Sequence, residues 1–170
     1  TGSDGTSRAT GISNDGLINV GYSSSSNGSY EAYRWEDGVM TGLGDLPGGE
    51  FISLAQGISD DGSVIVGHSH VTGSDASGYE AFRWEDGVMS GLGDLSGGSF
   101  FSRANDASGD GSVVVGYSYT DVGREAFVWT ETDGMLSLRN ILSAQGSDLS
   151  YWQKIDQALS ISADGNTIVG

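Results

Sequence analysis

The chain has 170 residues, with 23 acidic against seven basic side chains and a formal net charge of −16 at pH 7. A surface this acidic repels nucleic-acid phosphates and anionic headgroups, so we expect no nucleic acid and no membrane insertion among its partners. The absence of cysteine excludes a disulfide framework and a thiolate metal site. With 29 glycines, one proline and 36% hydrophobic residues, the composition favours a β protein with many turns.

The N-terminal stretch "TGSDGTSRAT" has neither the basic start nor the apolar run of a signal peptide. No segment reaches the roughly 18 uninterrupted apolar residues of a membrane span. We therefore expect a soluble chain and interpret it as a mature fragment.

Two motifs recur along the sequence. The first contains Asp-Gly, whose glycine falls at positions 46, 49 and 54 residues apart; its copies are "ATGISNDGLINVGY" (9–22), "AQGISDDGSVIVGH" (55–68), "ANDASGDGSVVVGY" (104–117) and "ALSISADGNTIVG" (158–170). The second reads "EAYRWEDGVMTGLGDL" (31–46) and "EAFRWEDGVMSGLGDL" (80–95), and it decays in 125–142. This periodicity predicts a single repeat domain over 1–170, with units of about 9–54, 55–103, 104–157 and a partial 158–170.

The second unit predicts four short strands, in the order 54–59, 63–69, 79–85 and 88–93. Asp61-Gly62 lies between the first two strands and Asp86-Gly87 lies between the last two, and Asp-Gly is a strong hairpin signal. Each unit should therefore be a four-stranded antiparallel sheet with Asp-Gly at both hairpin tips.

Side-chain size predicts how these sheets pack. Residues 64–66 are apolar on both faces of their strand, which indicates cover on two sides. The first strand carries the small Ala55, which suits a crowded inner edge, and the third alternates the aromatic Phe82 and Trp84 with smaller neighbours. Radially packed blades satisfy these signs, so we predict an all-β, β-propeller-like array of four-stranded antiparallel blades with about three and a half repeats. Tryptophans 35, 84 and 129 should be mostly buried between sheets.

The paired motifs A-x-x-I-S-x-D-G-x-x-V-V-G and E-A-F-R-W-x-x-G-x-M-x-x-L-G-x-L resemble the HAF family of bacterial extracellular repeats. That family is named for His-Ala-Phe, where this chain has Glu80-Ala81-Phe82. The match covers about 9–170, and 139–170 is similar to the closing repeat, which implies one short helix near 138–145. The resemblance also implies a propeller-like fold, secretion or surface display in bacteria, and no established catalytic residues.

The number of units leaves open strand edges, since the fourth unit stops at Gly170 before a third strand. Unpaired edges invite pairing with other chains. We therefore favour a fragment or an assembling subunit, whose partners are other protein chains, either in a homo-oligomer or as further repeats of the same protein.

The Ser-x-Asp-Gly turns could be read as cation loops. Asp before Gly bonds its own turn backbone, and the ligand spacing of a calcium-binding EF-hand is missing, so we interpret these turns as structural. The doubled acids Asp60-Asp61 and Glu85-Asp86 keep calcium as an alternative, and no other cofactor is expected.

His68 and His70 form a His-x-His pair that would place both rings on one face of a strand. Tyr22 and Tyr117 occupy the place of His68 in other copies, which favours an aromatic slot over a transition-metal site.

Arg83 is replaced by Val128 in the third copy. We therefore expect its stem to pack on a neighbouring blade and its head to pair with the adjacent glutamate.

Catalysis finds little support, since no G-x-S-x-G elbow occurs and both histidines lie in one repeat slot.

The loops 23–29, 70–78 and 119–123 vary most and should share one face with the connections 46–51 and 95–100. The predicted ligand-facing residues on that face are Tyr30, Phe51, His70, Asp75, Tyr79, Phe101 and Tyr119.

Three functions follow from these observations. The leading interpretation is a non-catalytic extracellular interaction or structural scaffold that can self-assemble. The second is a glycan-binding or adhesive module that uses the variable loops, and the third is a glycan hydrolase, for which the 23 acidic residues supply no specific pair.

Overall fold

The computed structural model describes residues 5–24, 28–72, 78–152 and 154–170. Three four-stranded antiparallel sheets and one two-stranded sheet follow one another along the chain, each with its strands in sequence order. The first blade contains β1 (Ser7–Ile12), β2 (Ile18–Ser24), β3 (Tyr30–Glu36) and β4 (Val39–Gly42). The second contains β5 (Ser53–Ile58), β6 (Val64–His70), β7 (Tyr79–Glu85) and β8 (Val88–Gly91). The third contains β9 (Ser102–Ala107), β10 (Val113–Thr120), β11 (Gly123–Thr130) and β12 (Gly134–Ser137).

The fourth unit is a single hairpin of β13 (Ser160–Ile161) and β14 (Ile168–Val169). Between the third blade and this hairpin lies the helix α1 (Leu138–Ala144), which is the short helix expected near 138–145. Its N-cap Ser137 accepts a hydrogen bond from the Asn140 N–H and so satisfies one of the free donors at the helix start.

The two Asp-Gly turns of a blade have different backbones. Asp86 and Gly87 both have positive φ angles, 50° and 83°, as a two-residue type I′ turn requires. In the other hairpin only Gly62 has a positive φ, and its N–H donates to the Ser59 carbonyl at 3.0 Å. The predicted hairpin tips are therefore confirmed, but the first is a wider loop closed around Gly62.

Consecutive blades pack face to face with their first strands on the inside, since β1 contacts β5, β5 contacts β9, and β9 contacts β13. Between the first and second blades, Phe82 and Ile65 share a core cluster with Ile18 and Val20. Phe127 fills the equivalent place between the second and third blades. These contacts confirm the all-β, propeller-like arrangement of antiparallel blades.

The most buried aromatic side chain of each complete junction is a phenylalanine. Phe82 and Phe127 are fully buried, whereas Trp84 and Trp129 are partly buried and pack against the edge of the same clusters. Trp84 and Trp129 therefore lie at the inter-blade contacts as expected but are less buried than predicted, and the phenylalanine two residues earlier fills the centre of the core. Trp35 is also only partly buried and belongs to none of the core clusters of the described residues.

Buried serines join neighbouring blades through their backbones. Ser102 Oγ accepts a hydrogen bond from the Ala81 N–H at 2.9 Å and donates to the Gly93 carbonyl. Ser53 makes the equivalent two bonds one junction earlier. Because Ser102 and Ser53 are fully buried, these hydroxyls satisfy backbone groups that water does not reach.

The Ser-x-Asp-Gly turns also touch one another in a ladder around the inner strands. The Asn14 N–H donates to the Asp60 carbonyl, the Asp60 N–H to the Gly109 carbonyl, and the Gly109 N–H to the Ala163 carbonyl, each at 2.9 Å. One such bond per junction holds all four units in the same orientation.

Candidate binding face

The inter-blade connections lie against the strand ends from which two of the variable loops start. A Cβ on Gly49 would fall 2.2 Å from the His70 carbonyl oxygen, and one on Gly98 would fall 2.5 Å from the Tyr119 carbonyl oxygen. The Glu50 N–H also donates to His70 Nδ1 at 2.9 Å. The connections therefore press against the ends of β6 and β10, on the face that we call the connection face.

Rings from two blades meet on this face in a continuous series of contacts, which we call the aromatic cluster: His70, Tyr79, Phe101, Tyr117 and Tyr119. The ring centroids of His70 and Tyr79 are 5.3 Å apart, and those of Tyr79 and Phe101 are 6.1 Å apart. Phe101 also meets the edge of Tyr119 at 5.1 Å and stacks with Tyr117 at 6.1 Å. Edge and offset contacts of this kind each add stability beyond the buried area.

Two arginines lie over these rings. The guanidinium of Arg103 is 5.1 Å from the ring centroids of both Tyr79 and Phe101, so it bridges the second and third blades. Arg124 lies 5.1 Å over Tyr117 and pairs with Asp156 at 3.0 Å. Cations held over aromatic faces combine charge with a flat apolar surface, a combination that favours binding hot spots.

His68 lies beneath the cluster and is almost fully buried, with its ring 5.4 Å from that of Tyr79. Burial, together with the nearby charge of Arg103, lowers the pKa of His68 to about 3, so this imidazole is neutral at pH 7. His68 Nδ1 and Arg103 Nε are buried atoms without a hydrogen-bond partner in the part of the chain that the structure describes.

The histidine pair shares one face, since both rings contact Tyr79. Within the described ranges, no three His, Asp or Glu side chains come together as a metal site. The surroundings of His68 are aromatic, which agrees with the tyrosines that occupy its place in the first and third blades.

The predicted ligand-facing residues are only partly united. His70, Tyr79, Phe101 and Tyr119 meet in the aromatic cluster, and Tyr119 remains 37% exposed. Tyr30 contacts Tyr22 in the first blade instead, with ring centroids 5.5 Å apart. Phe51 is 41% exposed and takes part in none of the ring contacts recorded among the described residues. Asp75 lies outside the described residues.

Sequence reasoning missed Arg103, Arg124 and Tyr117 as members of this face. A signal was available, because Phe101 and Arg103 replace Ile52 and Leu54 of the preceding unit. Departures from a repeat therefore identify the aromatic cluster better than the variable loops do.

Arg83 behaves as the repeat comparison predicts. Its Nη1 atom pairs with Glu85 at 2.7 Å, and its Nε donates to the Gly111 carbonyl of the next blade at 3.2 Å. The arginine thus ties two blades together and is structural.

The Asp residues of the Ser-x-Asp-Gly turns bond inside their own loops. Asp61 Oδ1 accepts hydrogen bonds from the Ser63 N–H at 3.0 Å and the Ser59 hydroxyl at 2.7 Å, and these bonds lower its pKa. Asp110 makes the same contacts, which lower its pKa to about 2. These carboxylates already organise their loops, as the structural interpretation requires.

No helix in the described part of the chain is long and apolar enough to cross a bilayer.

Comparison with known proteins gives structural similarity without sequence similarity. No protein-family model matches the sequence, and no curated protein matches it. The fold resembles a putative TolB from Agrobacterium tumefaciens, with a TM-score of 0.57 and 16% identity over 75% of this chain and 44% of the other. It also resembles TolB from Acinetobacter baumannii, with a TM-score of 0.53 and 16% identity over 81% of this chain and 33% of the other. The chain thus spans less than half of either structure, and the likeness concerns the fold.

Proposed function

We propose that the chain is a non-catalytic, extracellular β-repeat module of the HAF type that acts as an interaction scaffold. Its partner is another protein chain, which it contacts with the aromatic cluster on the connection face. The motif pairs described above support the family and the extracellular location, and the stacked blades supply the rigid support that binding loops need.

One observation carries this proposal: Arg103 lies between Tyr79 and Phe101, at equal distances of 5.1 Å from rings of two different blades. The arginine fixes both rings, so the cluster loses little conformational freedom when a partner docks. Tyr and Arg are also the side chains that most often dominate binding energy at protein interfaces.

Because of the high negative charge of the chain, binding should depend on the salt concentration. At −16, the molecule repels acidic partners and other copies of itself at low ionic strength. Screening at about 0.15 M salt shortens that repulsion to roughly 8 Å. Self-association through the cluster should therefore appear only as salt is added.

A glycan is the second candidate partner. Phe51, which is 41% exposed, and Tyr119 present aromatic surface on the connection face, where the connection 95–100 carries the exposed Ser96 and Ser99. An exposed ring beside short polar side chains suits sugar binding, because the ring covers the apolar face of a sugar while hydroxyls bond its edge.

Repeat-derived substitutions test the proposal with little risk to folding. Arg103→Leu with Tyr119→Ser installs the residues that Leu54 and Ser24 supply in earlier units, and Val88→Ser on an exposed outer strand is the control. For all three chains we would measure self-association by sedimentation. We would also measure binding to secreted proteins by cross-linking and binding to a glycan array.

We expect the double variant to lose the interaction that the parent and Val88→Ser retain. Equal binding by the double variant overturns the aromatic cluster as the contact surface. If the parent chain binds only on the glycan array, the face is assigned to a glycan. If the chain releases shortened sugars from a glycan that it binds, the non-catalytic assignment is contradicted.

A further inference from the structure

The fourth unit borders a cavity of about 540 Å³. Its walls include Leu138 and Leu142 of α1, Trp152 and Ile155 of the following segment, and the strand residue Ile168. The cavity is distinct from the aromatic cluster, whose residues do not line it.

The strand beside this cavity has one backbone edge turned away from its hairpin partner. The Val169 carbonyl accepts from the Leu159 N–H at 2.7 Å, and the Thr167 carbonyl accepts from the Ser162 N–H at 2.9 Å. Residues of an antiparallel strand alternate in direction, so the N–H and carbonyl of Ile168, between these two, point to the other side. In each complete blade, that side of the second strand pairs with a third strand.

A glycine marks the equivalent position in every unit. A Cβ on Gly67 would fall 2.0 Å from the Leu54 carbonyl oxygen, and one on Gly170 would fall 2.0 Å from the Gln157 carbonyl oxygen. In the complete blades this glycine always pairs with an aromatic residue of the third strand: Gly21 with Tyr33, Gly67 with Phe82, and Gly116 with Phe127. Gly170 therefore provides the same opening for an aromatic side chain.

The opposite wall of the cavity also repeats the earlier junctions. Leu43 shares a core cluster with Phe82, and Leu92 shares one with Phe127. Leu138 occupies the corresponding place, since it follows Ser137, the residue that pairs with Phe127 as Gly91 pairs with Phe82. In the fourth junction this leucine lines the cavity.

We propose that this cavity and the outer edge of β14, which pairs with no strand in the described ranges, accept a β-hairpin that carries the third and fourth strands of the same repeat, with the pattern Ala-aromatic-x-Trp followed by an Asp-Gly turn. The aromatic residue fills the space opposite Gly170. The tryptophan pairs with Ile168, as Trp84 pairs with Ile65. The bound hairpin continues the established interface between blades, and it leaves the connection face unchanged.

A labelled synthetic peptide with the sequence of residues 79–91 tests this inference. Its binding to the 170-residue chain is followed by fluorescence anisotropy and by hydrogen exchange at the Ile168 amide. The control peptide carries Phe82→Ala and Trp84→Ala. We expect saturable binding of the parent peptide, slower exchange at Ile168, and no binding of the control.

Protein variants locate the contact. Leu142→Glu puts a charge on the cavity wall and should raise the dissociation constant of the peptide by about tenfold or more. The matched variant Val88→Glu, on an exposed outer strand, should have no effect. If Leu142→Glu shifts the unfolding midpoint, Trp152→Ser replaces it, because Trp152 is 61% exposed and contributes less to folding.

A fused chain removes the dependence on peptide affinity, because a linked segment acts at high effective concentration. The hairpin sequence is appended after Gly170 through a short Gly-Ser linker, in its parent and doubly substituted forms. A higher unfolding midpoint for the parent fusion supports the proposal, and equal midpoints overturn it. Equal binding of both peptides also overturns the proposal. If neither peptide binds but the chain forms a dimer that Leu142→Glu abolishes, the proposal is overturned as well, and the cavity is assigned to a second copy of the chain.

Discussion

The Glu80 carboxylate accepts a hydrogen bond from the backbone N–H of Gly93 at 2.9 Å. Glu31 makes the same contact with Gly44 one blade earlier. Burial, with a smaller contribution from Asp94, raises the pKa of Glu80 above its usual value, while the bond to Gly93 acts against this rise. The first residue of the recurring Glu-Ala-aromatic motif therefore closes the connection that leads to the next blade.

This contact explains the first glycine of the Gly-Leu-Gly segment, Gly91, whereas Gly93 has a positive φ of 76°. It also leads to a first prediction. A Cβ on Gly91 would fall 2.2 Å from Glu80 Oε1, so Gly91→Ala displaces the carboxylate from Gly93. We expect a loss of about 1.5–3 kcal/mol in the free energy of unfolding, the value of a hydrogen bond to a charged group. Urea denaturation measures it, and a double-mutant cycle with Glu80→Ala should remove most of the effect. Additive losses would contradict this mechanism.

The fully buried Phe82 gives a second prediction. Phe82→Ala leaves a cavity between the first and second blades, and the unfolding free energy should fall by about 3–5 kcal/mol. Val88→Ala, on the exposed end of β8, should change it by less than about 0.5 kcal/mol. Chemical denaturation compares the two variants. A Phe82→Ala chain as stable as the control would show that the junction does not depend on this ring.

A third prediction concerns the serine bridge between blades. Ser102→Ala removes the acceptor of the Ala81 N–H and leaves that donor buried. An unsatisfied buried donor costs about 1–3 kcal/mol, whereas Ser90→Ala on the exposed β8 should be nearly neutral. Thermal and urea unfolding of both variants measure the difference. Amide exchange should also speed up at Ala81, and an unchanged exchange rate there would refute the role of the bridge.

The calcium alternative can be tested directly on the turns. Because Asp61 and Asp110 already bond their own loops, we expect a chelator to leave the unfolding midpoint unchanged and added calcium to raise it by no more than magnesium does. A ligand that binds only the folded chain stabilises it by mass action. A calcium-specific rise that Asp61→Asn abolishes would reinstate a calcium site.

The fold was predictable because the sequence pattern of each strand and turn recurs in three copies of the repeat. Asp-Gly turns, first strands with small residues and third strands with a Phe-x-Trp pattern indicate where the blades lie. The replacement of Arg83 by Val128 in the third copy indicates that this arginine is structural. The helix near 138–145 could be placed because 139–170 resembles a closing repeat, while the backbone class of the Asp61-Gly62 turn could not, since one dipeptide serves two turn types.

The candidate binding face was predictable only in part. Loop variability identified Tyr79, Phe101 and Tyr119, but it also selected Tyr30 and Phe51, which lie apart from the cluster. Whether two rings meet depends on how neighbouring blades are rotated, and a repeat pattern does not encode that rotation. Loop variability did not identify Arg103, because this residue lies in β9 and not in a variable loop. Its replacement of Leu54 is visible in the sequence, but only the folded junction places its guanidinium between two rings.

The buried His68 predicts how stability depends on pH. In the folded chain the pKa of His68 is about 3, well below the usual histidine value of 6.5, so the unfolded chain takes up a proton first as the pH falls. Its contribution to stability is therefore present above pH 6.5 and is lost between pH 6.5 and about 3, with a slope of up to about 1.4 kcal/mol per pH unit. His68→Tyr installs the residue found at positions 22 and 117 and should remove this slope, since tyrosine does not titrate there. His70→Ser keeps His68 and should retain it. Urea titrations across this range compare the three chains, and parallel curves for the parent and His68→Tyr would show that the imidazole is solvated in the folded chain.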